Sequence, residues 1–440
     1  MWLLANSQGG LTSLDLGVIV VYLALTLGMG VWIARRQKST EDYFLGGRNL
    51  PSWAVGLSLI ASLLSTITYL GMPGEMFRSG VAFLTRQLGL PLVLLVVWFL
   101  WIPFFMRLRL TSAYEYLERR YNYAVRALAA VFCLLLLFGW ISVVVLTASM
   151  AMAEISRLDI AGLLGGAASS ETVVAETAAP VVRDVDMYAI IAGMGLITVL
   201  YTTLGGITAD VWTDVVQFFV LLGGAFVTMA VVAWTTDSGL MDWLATSREY
   251  RHEEVKWFSW DIRDRSTVFA ISIGMFFWHT CTHGANQVTL QRYFSVGDMA
   301  AARRSFLVNV LSSIGLGVIL AAVGIALMHF VQHHDVVGIP AAAGLDSPDA
   351  SVRNASQDRI FPQFIHSGHF PTGLRGLVVA ALFAAAMSTI DSGANSISAI
   401  VTVDFFRRLS GQHAGGRAEL RLARILTALI GVVVIAGSIA

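Results

Sequence analysis

The stretch Val378–Asp404, VVAALFAAAMSTIDSGANSISAIVTVD, is long and apolar enough to cross a bilayer, yet its middle carries Ser388, Thr389, Asp391, Ser392, Asn395 and Ser396. At 100° per residue, Ala385, Ser388, Thr389, Ser392, Ser396 and Ala399 share one small, hydroxyl-lined helix face. Such a face can simply pack membrane helices closely. Asp391 asks for more: a carboxylate near the bilayer centre costs roughly 2.5 to 3.5 kcal/mol on insertion scales and marks an ion or solute path. The stretch is expected to be a cation-binding helix. Asp214, in VWTDVVQ between Thr213 and Gln217, is the partner expected for Asp391. Two carboxylates around one site bind a cation more strongly, or share a proton because both cannot easily ionise side by side.

Two further apolar runs are interrupted. GLSLIASLLSTITYLGMPGEMF places Ser62, Ser65, Thr66 and Thr68 in mid-span, followed by Gly71, Pro73 and Gly74. SIGMFFWHTCTHGANQVTLQRY places His279, Thr280, Thr282, His283, Gly284, Asn286 and Gln287 where a plain span would carry Leu and Val. Interrupted spans at corresponding places in two halves point to a carrier built of inverted repeats, with substrate and ion held at mid-membrane by broken helices.

The rest of the chain must hold these segments in lipid. Of its 440 residues 56% are hydrophobic and 13% charged, against roughly 25% charged in a soluble domain, so it is a polytopic membrane protein. Zero formal net charge gives no reason to expect nucleic acid. Cys133 and Cys281 both sit in apolar stretches and make neither a disulfide framework nor a metal cluster. Spans are expected at about Leu16–Ala34, Leu50–Met72, Phe83–Met106, Val125–Ala153, Met187–Leu204, Val211–Trp234, Val268–Val288, Phe306–Val331, Leu374–Phe406 and Ile425–Ala440, ten in all. Basic residues gather in alternate loops (Arg35 to Arg48, Arg107 to Arg126, Arg292 to Arg304, Arg407 to Arg424), which puts those loops in the cytoplasm and the N-terminus outside. Spans two to six and seven onward then form two groups of opposite topology, the second one helix short in this chain. His333, His334, Asp335, His366 and His369 read as a solvated loop rather than metal ligands, and Asn354-Ala355-Ser356 as a glycosylation sequon in an outer loop. No enzyme constellation stands out.

The chain resembles the sodium:solute symporter family along essentially its whole length. The likeness rests on EDYFLGGRNLPSW, SLIASLLST, LTSAYEYLERRY, GGITADVWTDVVQ, GANQVTLQRY and AAAMSTIDSGANSISAIVTVDFF. Within the family, GMPGEMFRSGVAFL with LTSAYEYLERRY looks most like the iodide, monocarboxylate and vitamin branch. The resemblance implies an all-α, LeuT-like fold: an extra N-terminal helix at 16–34, one five-helix repeat at 50–234, and a second, incomplete repeat at 268–440. It implies sodium as coupling ion, a small solute as cargo and a multi-pass place in the cell membrane.

Carried over by motif, the shared sodium site falls on the carbonyls of Ala61, Leu64 and Ala385 and the hydroxyls of Ser388 and Thr389. The side chains are those of the hydroxyl face derived above. Some members hold a second sodium by residues matching Asp214, Asp391 and Ser392; here position 391 is Asp rather than Ser or Thr. Matching substrate positions are Leu63, Thr68, Gln87, His279 and Thr282. Leu63 and Thr68 replace the polar groups of sugar carriers, so a small anion such as a monocarboxylate is expected before a sugar or polyol. Arg86 is expected to snorkel to the outer interface. The competing class is a membrane sensor fused to signalling modules; a channel is disfavoured because broken helices in inverted repeats suit alternating access.

Overall fold

The computed structural model describes residues 11–108, 110–156, 184–250, 256–261, 267–333, 339, 344–345, 347–410 and 417–439. Helix is the one kind of regular secondary structure among these residues. In chain order the helices are α1 (Ser13–Ala34), α2 (Thr40–Leu45), α3 (Ser52–Leu63), α4 (Thr66–Ser79), α5 (Leu90–Val96), α6 (Ile102–Leu108), α7 (Glu115–Arg120), α8 (Tyr123–Ser156), α9 (Asp184–Thr236), α10 (Leu240–Tyr250), α11 (Val268–Ala285), α12 (Gln287–Phe294), α13 (Met299–His333), α14 (Ala350–His366), α15 (Leu374–Ile400), α16 (Arg407–Ser410) and α17 (Arg417–Ile439). A 3₁₀ segment at 80–89 precedes α5. His334 and Asp335 lie outside the described residues.

Starts and stops follow local chemistry. Thr12 opens α1 and Ser39 opens α2 with reciprocal capping boxes, through Asp15 and Asp42. In the first interrupted span the helix breaks at Leu64 and Ser65, whose extended backbones (ψ 108° and 167°) turn α4 69° away from α3. Pro73, further along, lies inside α4. The second interrupted span breaks at Asn286, also extended, which opens α12 by accepting from the Val288 amide.

Among the described residues seven helices are long and apolar enough to cross a bilayer, and the bent α3–α4 pair makes an eighth. At 53 residues, or about 80 Å at ~1.5 Å per residue, α9 is too long for one crossing and serves as two, joined at Gly206. The expected span at Val268–Val288 is the polar-rich α11–α12 pair, which does not reach that measure of length and apolar character. At Gly206 (φ 53°, ψ −158°) a Cβ would lie 2.4 Å from the Tyr43 carbonyl oxygen, so only glycine fits. Carbonyls freed there are taken up by neighbours: Tyr43 donates to Thr202 and Thr203, Arg424 to Leu204 and Gln37 to Gly205. Gly206→Ala is expected to cost about 2 kcal/mol or more and to lower the midpoint of thermal unfolding in detergent. An unchanged midpoint would show that the backbone relaxes freely at this joint.

The centre of the bundle is α15. Of its most apolar stretch 89% is buried inside the protein, against 28% for α1, whose Val20, Val21 and Leu25 face outward as lipid-facing residues should. It packs on both halves of α9 and also meets α1, α3, α8 and α17. At one end the span continues past Ile400 as a π-helical turn to Phe406, and Asp404 there accepts from Arg126 Nε (2.7 Å) and Ser112 Oγ (2.6 Å). Arg408 and Arg126 both donate to Glu118 and hold its carboxyl below the usual carboxylate range. The sequon Asn354 sits on α14, not in a loop, and its carbonyl accepts from Arg78 at 3.0 Å.

Candidate functional site

The hydroxyl face of α15 meets the break of the first interrupted span. With 64 and 65 extended, carbonyls of the last turn of α3 leave the helical ladder and need other partners. Ser388 Oγ donates to the Ala61 carbonyl at 3.0 Å and to Ala385 at 3.2 Å, and Thr389 Oγ1 donates to Ala385 at 3.3 Å. From the other side of the break Thr66 Oγ1 donates to the Leu382 carbonyl at 3.3 Å. Four of the five expected sodium ligands thus join directly; Leu64, the cap of α3, is buried, and its amide bonds back to the Ile60 carbonyl. These oxygens are hard, uncharged and sheltered from water, which suits a small alkali cation.

One turn along α15 lies a layer of charge. Asp214, fully buried, accepts from Arg292 Nη2 (2.9 Å), Ser58 (2.6 Å) and Ser62 (3.2 Å). Arg292, 1% exposed, also donates to Ser58 (2.7 Å), Ser392 (2.5 Å) and the Val288 carbonyl (3.0 Å). The direct partner of Asp391 is therefore not Asp214: its carboxylate accepts from Tyr201 (2.6 Å) and Ser392 (3.0 Å), and Ser392 is the bridge to Arg292 and Ser62. Arg292 is likewise no loop residue, since all of α12 is buried. The sequence reads Arg292 only as a loop charge and does not single out Tyr201 or Asp210, the last of which accepts from Asn395 at 2.7 Å. The spacing of Asp210 and Asp214, one turn apart in an apolar span, was the available signal.

The five substrate positions are not joined by hydrogen bonds to one another. Leu63 and Thr68 flank the α3–α4 break, half-buried. Gln87 lies against Gly317 of α13, where a Cβ would stand 2.0 Å from its Nε2. His279 and Thr282 lie on α11, with Thr282 bonded to the Trp278 carbonyl of its own helix at 2.8 Å. The His279 ring stacks on His283 at 6.1 Å, and His283 Nδ1 meets Tyr293 at 2.7 Å. Arg86 is half-buried, its Nε is buried without a partner, and its guanidinium covers Phe83 at 4.9 Å. Among the described residues no carboxylate is within ion-pair distance of Arg86; the nearby Glu75 pairs with Arg78 at 2.8 Å.

The profile of the sodium:solute symporter family matches residues 43–170 and 179–440. The chain belongs to this family. Among the symporter's relatives, the sodium/sialic acid symporter NanT of Aliivibrio fischeri is 30% identical over 96% of this chain and 75% of its own. SiaT of Proteus mirabilis, also a sodium/sialic acid symporter, is 29% identical over 95% and 76%. The human sodium/iodide cotransporter is 29% identical over 89% and 56%. A solved structure, the substrate-bound outward-open state of a Na+-coupled sialic acid symporter with a novel Na+ site, superposes with a TM-score of 0.80 at 27% identity, covering 97% of this chain and 82% of that one. The fold is thus LeuT-like, and the protein is a multi-pass, sodium-coupled carrier of a small solute, a secondary transporter rather than an enzyme.

Proposed function

We propose that this symporter moves a small anion, one bearing a carboxylate before all, together with sodium into the cell, its basic loops facing the cytoplasm. Sodium is ligated by the carbonyls of Ala61, Leu64 and Ala385 and by Ser388 and Thr389, whose hydroxyls turn their lone pairs to the ion. Asp214, Asp391 and Ser392 hold a second cation. Leu63, Thr68, Gln87, His279 and Thr282 line the solute path. The observation that carries the anion is Arg86, a guanidinium with no carboxylate partner among the described residues, in the 80–89 segment that packs on α11, the helix of His279. A cation kept without an internal counter-ion is an anion receptor in waiting. Relatives named for sialic acid, iodide and monocarboxylates all carry anions, which favours the same class here. One sodium crossing 100 mV releases about 2.3 kcal/mol, enough to drive accumulation even against the charge of the cargo when two cations accompany it.

The test is uptake into proteoliposomes under an inward sodium gradient, with labelled sialic acid, lactate, iodide and glucose supplied separately. At least one anion is expected to enter in a sodium-dependent way, and Arg86→Gln should raise its KM about tenfold or more. Glucose uptake alone, or an Arg86→Gln carrier with an unchanged KM, defeats the anion assignment.

A further inference from the structure

Three carboxylates, Asp210, Asp214 and Asp391, are 1% exposed or less in the layer beneath the hydroxyl site. Arg292 is the guanidinium buried with them, and its ion pair is with Asp214. Asp391 is served by neutral donors, and Asp210 by the Asn395 amide. With all four groups ionised, two carboxylates lack a cation, in a place where each uncompensated charge costs several kcal/mol.

The unsatisfied oxygens lie on the same face. Asp210, Asp214 and Gln217 stand at i, i+4 and i+7 on α9, and Asp391 and Asn395 stand one turn apart on the facing helix α15. Asp210 Oδ1, Asp214 Oδ1 and Gln217 Oε1 are buried and have no hydrogen-bond partner, although the Gln217 amide reaches Tyr201, the donor to Asp391, at 3.5 Å. Thr202, fully buried on the first half of α9, turns its hydroxyl to the Asp210 carboxyl. Orphaned oxygens at this depth, with no nitrogen or sulfur donor among them, suit a hard cation or a proton. The Arg292 charge next door disfavours a divalent ion.

We propose that Asp210, oriented by Asn395, is a further monovalent-cation station, filled by sodium or a proton, one helical turn from Asp214 toward the Gly206 joint. It rests on the sodium-symporter reading and extends it, because neither Ser388, Thr389 nor the Asp214–Ser392 group requires a carboxylate at 210. Lying four residues before Asp214 and four after Gly206, it sits between the ion layer and the end of the bundle where α2 covers that joint. A cation leaving the Asp214 layer in that direction meets Asp210 next.

The experiment uses the full chain purified in detergent, with radioactive sodium alone as probe and a pH-indicator dye in weak buffer. Wild type is expected to bind about one cation equivalent more than Asp210→Asn, and Asp210→Glu to restore it. Extra bound sodium names sodium as the occupant; equal sodium counts with a proton released from wild type alone name a proton. Equal sodium binding and equal proton release in wild type and Asp210→Asn overturn the proposal. Should Asp210→Asn fail to fold, sodium-induced infrared difference spectra of wild type decide. A protonated-carboxyl band that is lost on sodium binding and moves in frequency in Asp210→Glu, or a third sodium bound beyond the Ser388–Thr389 and Asp214–Ser392 sites, supports the station; no such band with two or fewer sodium ions bound rejects it. A wild type that binds no sodium defeats the broader symporter reading instead.

Discussion

Ser388→Ala combined with Thr389→Ala is expected to weaken sodium binding by two to four orders of magnitude, roughly 1.5 to 3 kcal/mol for each hydroxyl bound to a charge. At ordinary sodium concentrations uptake would then fall to background. The fold should survive, because what the folded chain loses is the bond from Ser388 to Ala61 and two local bonds to Ala385, neutral interactions worth about 1 kcal/mol each. Both residues are nearly fully buried, and alanine leaves gaps no larger than a hydroxyl and a methyl. The measurement is the sodium dependence of uptake at fixed solute, with detergent-solubilised yield as the folding control. A double variant that transports at full strength with an unshifted sodium dependence would remove the ion from this face altogether.

That face was readable from sequence because a helical period, hydroxyl side chains and one intramembrane carboxylate coincide in a single run of residues, which needs no knowledge of neighbours. The broken first span is readable as a polar interruption, but residue types alone point to Gly71, Pro73 and Gly74, and only the family resemblance points to Ala61 and Leu64, beside the actual break at Leu64 and Ser65. Proline is accommodated inside α4, whereas the actual break is set by what α15 offers to the freed carbonyls, a tertiary matter. Arg292 shows the same limit more sharply. A basic residue near the end of an apolar run reads as a loop charge under the positive-inside rule, and only Asp214, 78 residues away in sequence, makes it a core residue. Likewise the sequence offers Asp214 as the partner of Asp391 and cannot show that Tyr201 and Ser392 take that place.

Arg292→Gln is expected to be the most damaging single change to folding. It removes the bonds to Asp214, Ser58, Ser392 and the Val288 carbonyl together, and leaves the Asp214 carboxylate buried beside Asp391 without its counter-ion. Breaking a buried pair from one side costs about 3 to 5 kcal/mol, a large part of the stability of most domains, so the variant should express poorly and run as aggregate on gel filtration. Arg292→Lys keeps the charge but offers a single ammonium in place of a fork that reaches Asp214, Ser58 and Ser392 at once, and should recover only part of the loss. The decisive comparison is the double variant Arg292→Gln/Asp214→Asn. With both charges gone, the layer no longer holds an uncompensated ion from this pair, and thermal stability should rise by about 2 kcal/mol or more above Arg292→Gln alone. Should the arginine change cost as much in the Asp214→Asn background as in wild type, the pair is not what holds α12 against α3 and α9, and the neutralising cation in this layer must be sought at Asp214 itself.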